Sequence, residues 1–422
     1  MGTGDLGVER TGDAVLSAND ELFDASLRHA IGIRRLSSGE VARIIALLNK
    51  SQTELEGKLV TQEARAIYRS GSFTTKRYKA LLEDIVALRK SVFREILQSN
   101  RKELIDLAFA EQDFGKRTLQ AVVPVQFDYA VAAPELLRSI VTTQPFAGGT
   151  NAAKTLGQWW EDLATADKKR INDAISLGMV QGEGTDTIVA RVMHGTELSK
   201  KNAEAIVRTG INHVSNNARE ALFAANNDIL RFLEWMSTLD GRTTLICSSR
   251  DGHFAPLGNT PLEEVPAPQL NPPYARPPAH MSCWSIMAAA LDQDGVVAKM
   301  GDRPFVRDTR TRRFRERDFR AEAKEAAGDK WSNWDEAKRR TAITARKKVW
   351  ASEAIGQVPA KVTYDQWLRR QPTSFQNEVL GVAKGQAFRK GLTLDKFLDN
   401  GRTMTLKELG DRYPDFVGVG GD

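Results

Sequence analysis

The sequence predicts a mainly α-helical protein with long N-terminal helices, one small α+β region with Pro-rich loops, and a helical C-terminal segment. Three observations lead there. Apolar residues recur at helical spacing through most of the 422 residues. The one short aromatic-rich run that reads as a strand is LRFLEWMST at 230–238. Most prolines of the 148–292 region crowd into 255–279, where they favour loops over regular elements.

Residues 1–18 are Gly-rich, polar and aperiodic, and read as a flexible tail. Leu22, Leu27 and Ile31 mark a first helix, which Ser37-Ser38-Gly39-Glu40 is expected to end while capping the next. That next helix carries the stripe Val41, Ile44, Ile45, Leu47 and Leu48. A second long helix is expected from about Thr75 to Ala110, with Leu81, Leu82, Ile85, Leu88, Val92, Ile96 and Leu97 on one face. Ser70-Gly71-Ser72 suits the turn of an antiparallel hairpin. A bundle with the helices of 150–226 is the other arrangement open to them. Pro124, Pro134, Pro145 and Gly148-Gly149 read as a linker that closes the N-terminal helical region, 19–147.

The region 148–292 opens with Trp159, Trp160 and Leu163 on one helix and Ile171, Ile175, Leu177 and Met179 on another. Thr185 is expected to cap a third, ending with His194 at Gly195, and a fourth runs from about Ser199 to Asn226 with His213 along it. The strand and the Pro-rich loops follow. A basic helical segment, 293–360, holds Trp331, Trp334 and Trp350. In the C-terminal segment, 361–422, Thr363 and Thr405 are N-cap residues with Gln366 and Glu408 three positions on.

Composition narrows the function classes. With 41% hydrophobic and 27% charged residues the chain has the make-up of an ordinary globular protein. It has no apolar run long enough for a membrane span and no secretory h-region at its start. Two cysteines make no disulfide framework and suit assembly in a reducing cytoplasm. The net charge of +6 is unevenly placed: residues 299–350 hold 17 Lys/Arg against 9 Asp/Glu. Arg307, Arg310, Arg312, Arg313, Arg315, Arg317, Arg320, Lys347 and Lys348 in this block form either a solvated helix face or a surface that follows the phosphates of DNA.

Both cysteines and two of the five histidines fall in one window as Cys247, His253, His280 and Cys283. Two close donor pairs joined by a loop follow the logic of a closed, structural Cys2His2 zinc site. The first pair is spaced more widely than a CxxC knuckle. Two small buried thiols with loop-capping histidines, or a disulfide, are the other chemistries this spacing admits. Asp251-Gly252-His253 also imitates a fragment of an HNH nuclease, but no histidine follows Cys283 in WSIMAAALDQD. P-loop, GxSxG and HExxH patterns are absent. The expectation is a non-enzyme, with a DNA-processing, nuclease-like enzyme using the Cys/His window as the alternative. Asp240 and Arg242 are expected to form a buried ion pair that, with Thr243, fixes the loop carrying Cys247.

The order of these features resembles the Mu F-like minor head proteins of tailed bacteriophages. AEAIVRTGINHVSNNARE is similar to that family's helix, in which an Arg-Thr pair (Arg208, Thr209) precedes Asn-rich turns. WMSTLDGRTTLIC follows with Trp235, Asp240, Arg242, Thr243 and Cys247, then the Asp251-Gly252 turn, then PPAHMSC with Pro277, Pro278, His280 and Cys283. Trp284 stands where arginine is usual, and Thr244 where some members carry another cysteine. The stretch TYDQWLRRQPTSFQNEVLGVAKGQAFRKGLTLDKFLD resembles a C-terminal segment that accompanies this domain in phage head proteins. The resemblance implies a minor structural protein of the phage head at the portal vertex, acting in head assembly and in DNA packaging or ejection. Its implied partners are the portal protein, the major capsid protein and packaged double-stranded DNA. Its implied locations are the interior of the virion head and, during assembly, the host cytoplasm.

Overall fold

A computed structural model of the chain describes residues 18–70, 76–122, 129–148, 151–270, 276–290, 302–310, 312–399 and 401–417. The expected tail falls almost wholly outside them. Four long helices dominate: α1 (Ala18–Leu59), α3 (Lys76–Val122), α5 (Leu156–Val180) and α6 (Thr185–Ala225). Each carries an apolar stripe, and the stripes close on one another. Ile44 and Leu48 of α1, Phe93, Ile96 and Leu104 of α3, Trp160 of α5 and Ile206, Val207, Ile211 and Val214 of α6 share one buried cluster. The N-terminal helices therefore form a bundle with the later ones. A two-helix hairpin would leave these stripes half covered, because α6 packs on α1, α3 and α5 together. A short α2 (Gln62–Ser70) caps one end of the bundle through Ile67 and Tyr68.

Several expected breaks are not breaks. Ser37-Ser38-Gly39-Glu40 lies inside α1, where Ser38 and Glu40 find partners compatible with the helix. Ser37 is buried in the bundle, and the Ser38 hydroxyl donates back to the Arg34 carbonyl at 2.9 Å. Glu40 accepts from Arg43 and from Asn100 of α3. The two helices expected over 159–179 are one, α5. Gly195 does not end a helix but lies mid-α6, as does His194, and Gly184 rather than Thr185 is the N-cap. A Cβ at Gly195 would sit 3.6 Å from Arg170 Cβ, an ordinary contact, so nothing at this position interrupts the helix. The expected linker holds α4 (Pro134–Thr142), with Pro134 in its first turn, and the hairpin of β1 (Phe146–Gly148) with β2 (Asn151–Lys154). His213 ties α6 to α4: Nε2–H donates to the Ile140 carbonyl (3.2 Å) and Nδ1 faces the Asn217 amide (3.1 Å). Burial lowers its pKa to about 4, so the neutral ring fits this arrangement.

One end of the bundle packs on an antiparallel three-stranded sheet, β5–β3–β6, formed by Phe254–Pro256, Phe232–Met236 and Ile286–Ala290. β3 is the expected strand, and both its faces are buried: Leu233 pairs with Ala289 and Trp235 with Met287. Leu22 of α1, Leu119 of α3 and Leu222 and Phe223 of α6 cover one side. A second sheet has the order β4–β7–β8, formed by Leu239–Asp240, Asp302–Val306 and Ile355–Pro359. Between β7 and β8 the chain leaves as two helices, α8 (Arg312–Ala327) and α9 (Glu336–Ala354). The C-terminal helices α10 (Tyr364–Arg369), α11 (Thr373–Leu380), α12 (Val382–Arg389) and α13 (Leu406–Arg412) close over Trp367, Phe388 and Phe397. Thr363 and Thr405 form the expected capping boxes.

Candidate metal centre

β3 ends at Met236, and the chain turns at once into the motif TLDGRTTLIC. Asp240 shapes this turn by accepting from the Arg242 backbone N–H at 2.7 Å, and the Thr243 hydroxyl closes it on the Thr238 carbonyl at 2.7 Å. Thr244 is the N-cap of a single helical turn, α7 (Leu245–Ser248), which delivers Cys247 inward. Trp235 is fully buried; its indole N–H donates to Ser237 Oγ, whose own proton goes to the Cys247 carbonyl at 2.7 Å. The second half of the centre arrives through Pro277 and Pro278, both buried, ahead of His280 and Cys283.

Cys247, His280 and Cys283 come together, with donor atoms all within 4.8 Å of one another. The Cys247 Sγ is 3.6 Å from Cys283 Sγ and 3.1 Å from His280 Nε2, and both cysteines are free thiols. The imidazole is oriented: Nδ1–H donates to the Met281 carbonyl at 2.9 Å, which leaves the Nε2 lone pair facing the sulfurs. The Thr244 hydroxyl stands 2.9 Å from the same nitrogen. The Cys247 thiol is pulled down to about 7, chiefly by the hydrogen bond from the Cys283 thiol, with Ser285, Thr244 and the Arg250 guanidinium acting against burial. Donating to Cys247 and burial push the Cys283 thiol up. Two sulfurs and an oriented imidazole nitrogen are three of the four donors that zinc takes.

His253 does not join them. Its backbone serves the sheet instead, its carbonyl accepting from the Trp235 N–H at 2.8 Å, and burial holds its imidazole below the usual range. The expected ligand quartet is a trio because Gly252, at φ +79°, turns the chain into β5 and carries His253 away from Cys247. The Asp240–Arg242 pair exists at 3.1 Å, but Arg242 is 44% exposed, so this is a turn contact and not a buried lock.

The buried lock is Asp251 with Arg303. Arg303 Nη1 reaches Asp251 Oδ2 at 2.8 Å and Nη2 reaches Oδ1 at 2.6 Å; the side chains are 5% and 0% exposed. Asp251 also accepts from the Ser237 and Tyr364 backbone N–H groups, and Arg303 donates to the Val362 carbonyl. One carboxylate thereby joins the loop after β3, strand β7 and the first helix of the C-terminal segment. The sequence marks Asp251 as a turn residue and as part of a nuclease-like fragment, but not as an ion-pair partner, because Arg303 lies 52 residues on and leaves no local signal.

Helix α6 supports the second half. The Thr209 hydroxyl accepts from Ser282 N (2.9 Å), Asn212 donates to the Ser285 carbonyl (3.0 Å), and Asn216 Oδ1 accepts from Met287 N (3.0 Å). The three residues recur at helical spacing, so one face of α6 holds the chain that carries Cys283. Trp284 lies beneath two guanidinium groups, Arg34 at 5.2 Å and Arg208 at 5.6 Å.

The basic block divides. Asp308 receives Arg310 (3.0 Å) and the Trp350 indole (2.7 Å), and Arg310 also reaches Asp318 at 2.9 Å. Arg315 stacks over Trp350, Arg317 pairs with Asp318, and Arg307 lies over Phe305. Arg312 and Arg313 open α8, their side chains lying outside the described residues. Arg320, Lys347 and Lys348 are exposed.

Residues 169–286 match the family model of Phage Mu protein F like protein, a segment that begins inside α5, ends at the start of β6 and encloses the whole Cys/His centre. The match spans less than half of the chain. No curated protein and no solved structure matches it.

Proposed function

We propose that this Mu F-like head morphogenesis protein is a minor structural component of a phage head, placed inside the virion at the portal vertex. It acts there in head assembly and in DNA packaging or ejection, with the portal protein and the major capsid protein as partners and packaged double-stranded DNA in non-specific contact. It is made and assembled in the host cytoplasm. The observation that carries this reading is the family match over 169–286, which encloses the Cys/His centre. The long bundle helices give extended docking surface: α1 alone has 42 residues, about 63 Å of helix. No helix among the described residues is long and apolar enough to cross a membrane. Mass spectrometry of purified heads tests the reading. The protein should be present at low copy, and its absence from particles that package DNA would overturn it.

Cys247, His280 and Cys283 are assigned as three of the four ligands a zinc ion takes. Bound there, zinc would cross-link the α7 turn to the loop before β6, two segments otherwise joined by hydrogen bonds and shared packing in one apolar cluster. Elemental analysis of the purified chain should find about one zinc per molecule. His280→Ala should lose most of it, whereas His253→Ala should keep it. Equal loss from both variants would restore the four-ligand arrangement. Metal-dependent DNA cleavage abolished by His280→Ala would favour the DNA-processing enzyme instead.

A further inference from the structure

Helix α9 runs between β7 and β8 as one limb of a two-helix arm, braced against α8 by Phe319 on Trp350 at 5.7 Å. Its charge is one-sided in two senses. Between Glu336 and Glu353 it contains no acidic residue and six cations: Lys338, Arg339, Arg340, Arg346, Lys347 and Lys348. The apolar positions Ile343 and Trp350 lie on the half-buried stripe, which leaves Arg340, Thr341, Thr344, Ala345, Lys347 and Lys348 exposed over residues 340–348. Arg340, Thr344 and Lys347 recur at i, i+4 and i+7 and so share one face, with Lys348 beside them. Arg340, Lys347 and Lys348 have no ion-pair partner among the described residues. Helix α8 is different in kind: it alternates sign, and Arg317 and the neighbouring Arg310 are bound to Asp318.

We propose that the outer face of α9 is the surface that binds double-stranded DNA, through backbone phosphates and without base readout. From Arg340 to Lys348 is about 12 Å along the helix axis, which spans three to four phosphates of one strand at about 3.4 Å each. The exposed positions offer ammonium and guanidinium donors, the groups that contact phosphate, while the Thr341 and Thr344 hydroxyls are spent on the Ala337 and Arg340 carbonyls. They include no aromatic ring on which an unpaired base would stack, which favours duplex over single-stranded nucleic acid. The large apolar side chain exposed on α9 is Val349, beside Lys348, and a single valine is not the buried aromatic cluster that anchors a protein partner. The surface follows from the chemistry of α9 alone; only its meeting packaged DNA rests on the head role proposed above.

The test is a salt titration of the full chain against a labelled mixed-sequence 30-base-pair duplex. If three phosphates are neutralised, affinity should fall about 40-fold between 50 and 200 mM salt. Lys347→Gln with Lys348→Gln should reduce that fall to about 3-fold and flatten the log–log slope by about 2. Arg317→Ala on α8 should leave the slope unchanged. All three residues are solvent-facing, so circular dichroism should show native helix content in both variants. Three outcomes overturn the assignment: no duplex binding at 50 mM salt, an Arg317 variant that moves the slope as much as the lysine pair, or tighter binding of single strands than of duplex. None of these bears on whether the protein is found in heads, which the particle composition decides separately.

Discussion

Asp251 is the residue on which three parts of the molecule converge, and its partners show why an acid is needed there. Four donors from Ser237, Arg303 and Tyr364 occupy both carboxylate oxygens in a fully buried site. Asp251→Ala would leave the Arg303 guanidinium buried without its counter-ion, and should cost about 3–5 kcal/mol in denaturant unfolding. Arg242→Lys, at a half-exposed turn, should cost under about 1 kcal/mol. If the two variants were equally destabilised, the hub would not be Asp251. The sequence made the Cys/His trio visible because cysteine and histidine are scarce in this chain. It did not reveal that His253 would be spent on the β3–β5 register. Nor could it show Arg303, one arginine among many, or the strip Thr209, Asn212 and Asn216, whose partners lie some seventy residues on.

At the scale of elements, composition and periodicity located the helices but misjudged their ends. Local rules treat Ser, Gly and Asn as punctuation, whereas a bundle supplies hydrogen-bond partners and close packing that let helices run through them. α1 passes Ser37-Ser38-Gly39 and α6 passes Gly195, each to more than 40 residues. The two kinds of glycine are separable by substitution. Nothing lies within 4 Å of a Cβ built on Gly39, so Gly39→Ala should stabilise the protein by about 0.5–1 kcal/mol. A Cβ on Gly178 would come 2.5 Å from Ile188 Cγ1, where α5 meets α6, so Gly178→Ala should lower the melting temperature. A helix break at residue 39 would make the first variant neutral or worse. The capping boxes at Thr363 and Thr405 were legible in full, because their chemistry is complete within four residues.

At the scale of the whole molecule, a helical bundle rests on a small sheet, and a Cys/His centre lies beneath the point where they meet. A second sheet then anchors both a basic two-helix arm and a compact C-terminal unit. Three buried polar ties set the bundle's register: Arg89 with Asp167, Glu111 with Arg219, and Asn100 with Glu40. Their value is positional, because buried ion pairs add little net stability while a slipped register would strand them. Such a scaffold presents long helix surfaces held by one shared core, which suits a part that holds others in place. Co-purification with the portal protein of the same phage, followed by imaging of the complex, tests this account most directly. A defined complex should form at physiological salt with the bundle helices at the contact. Two folded proteins that fail to associate would contradict it.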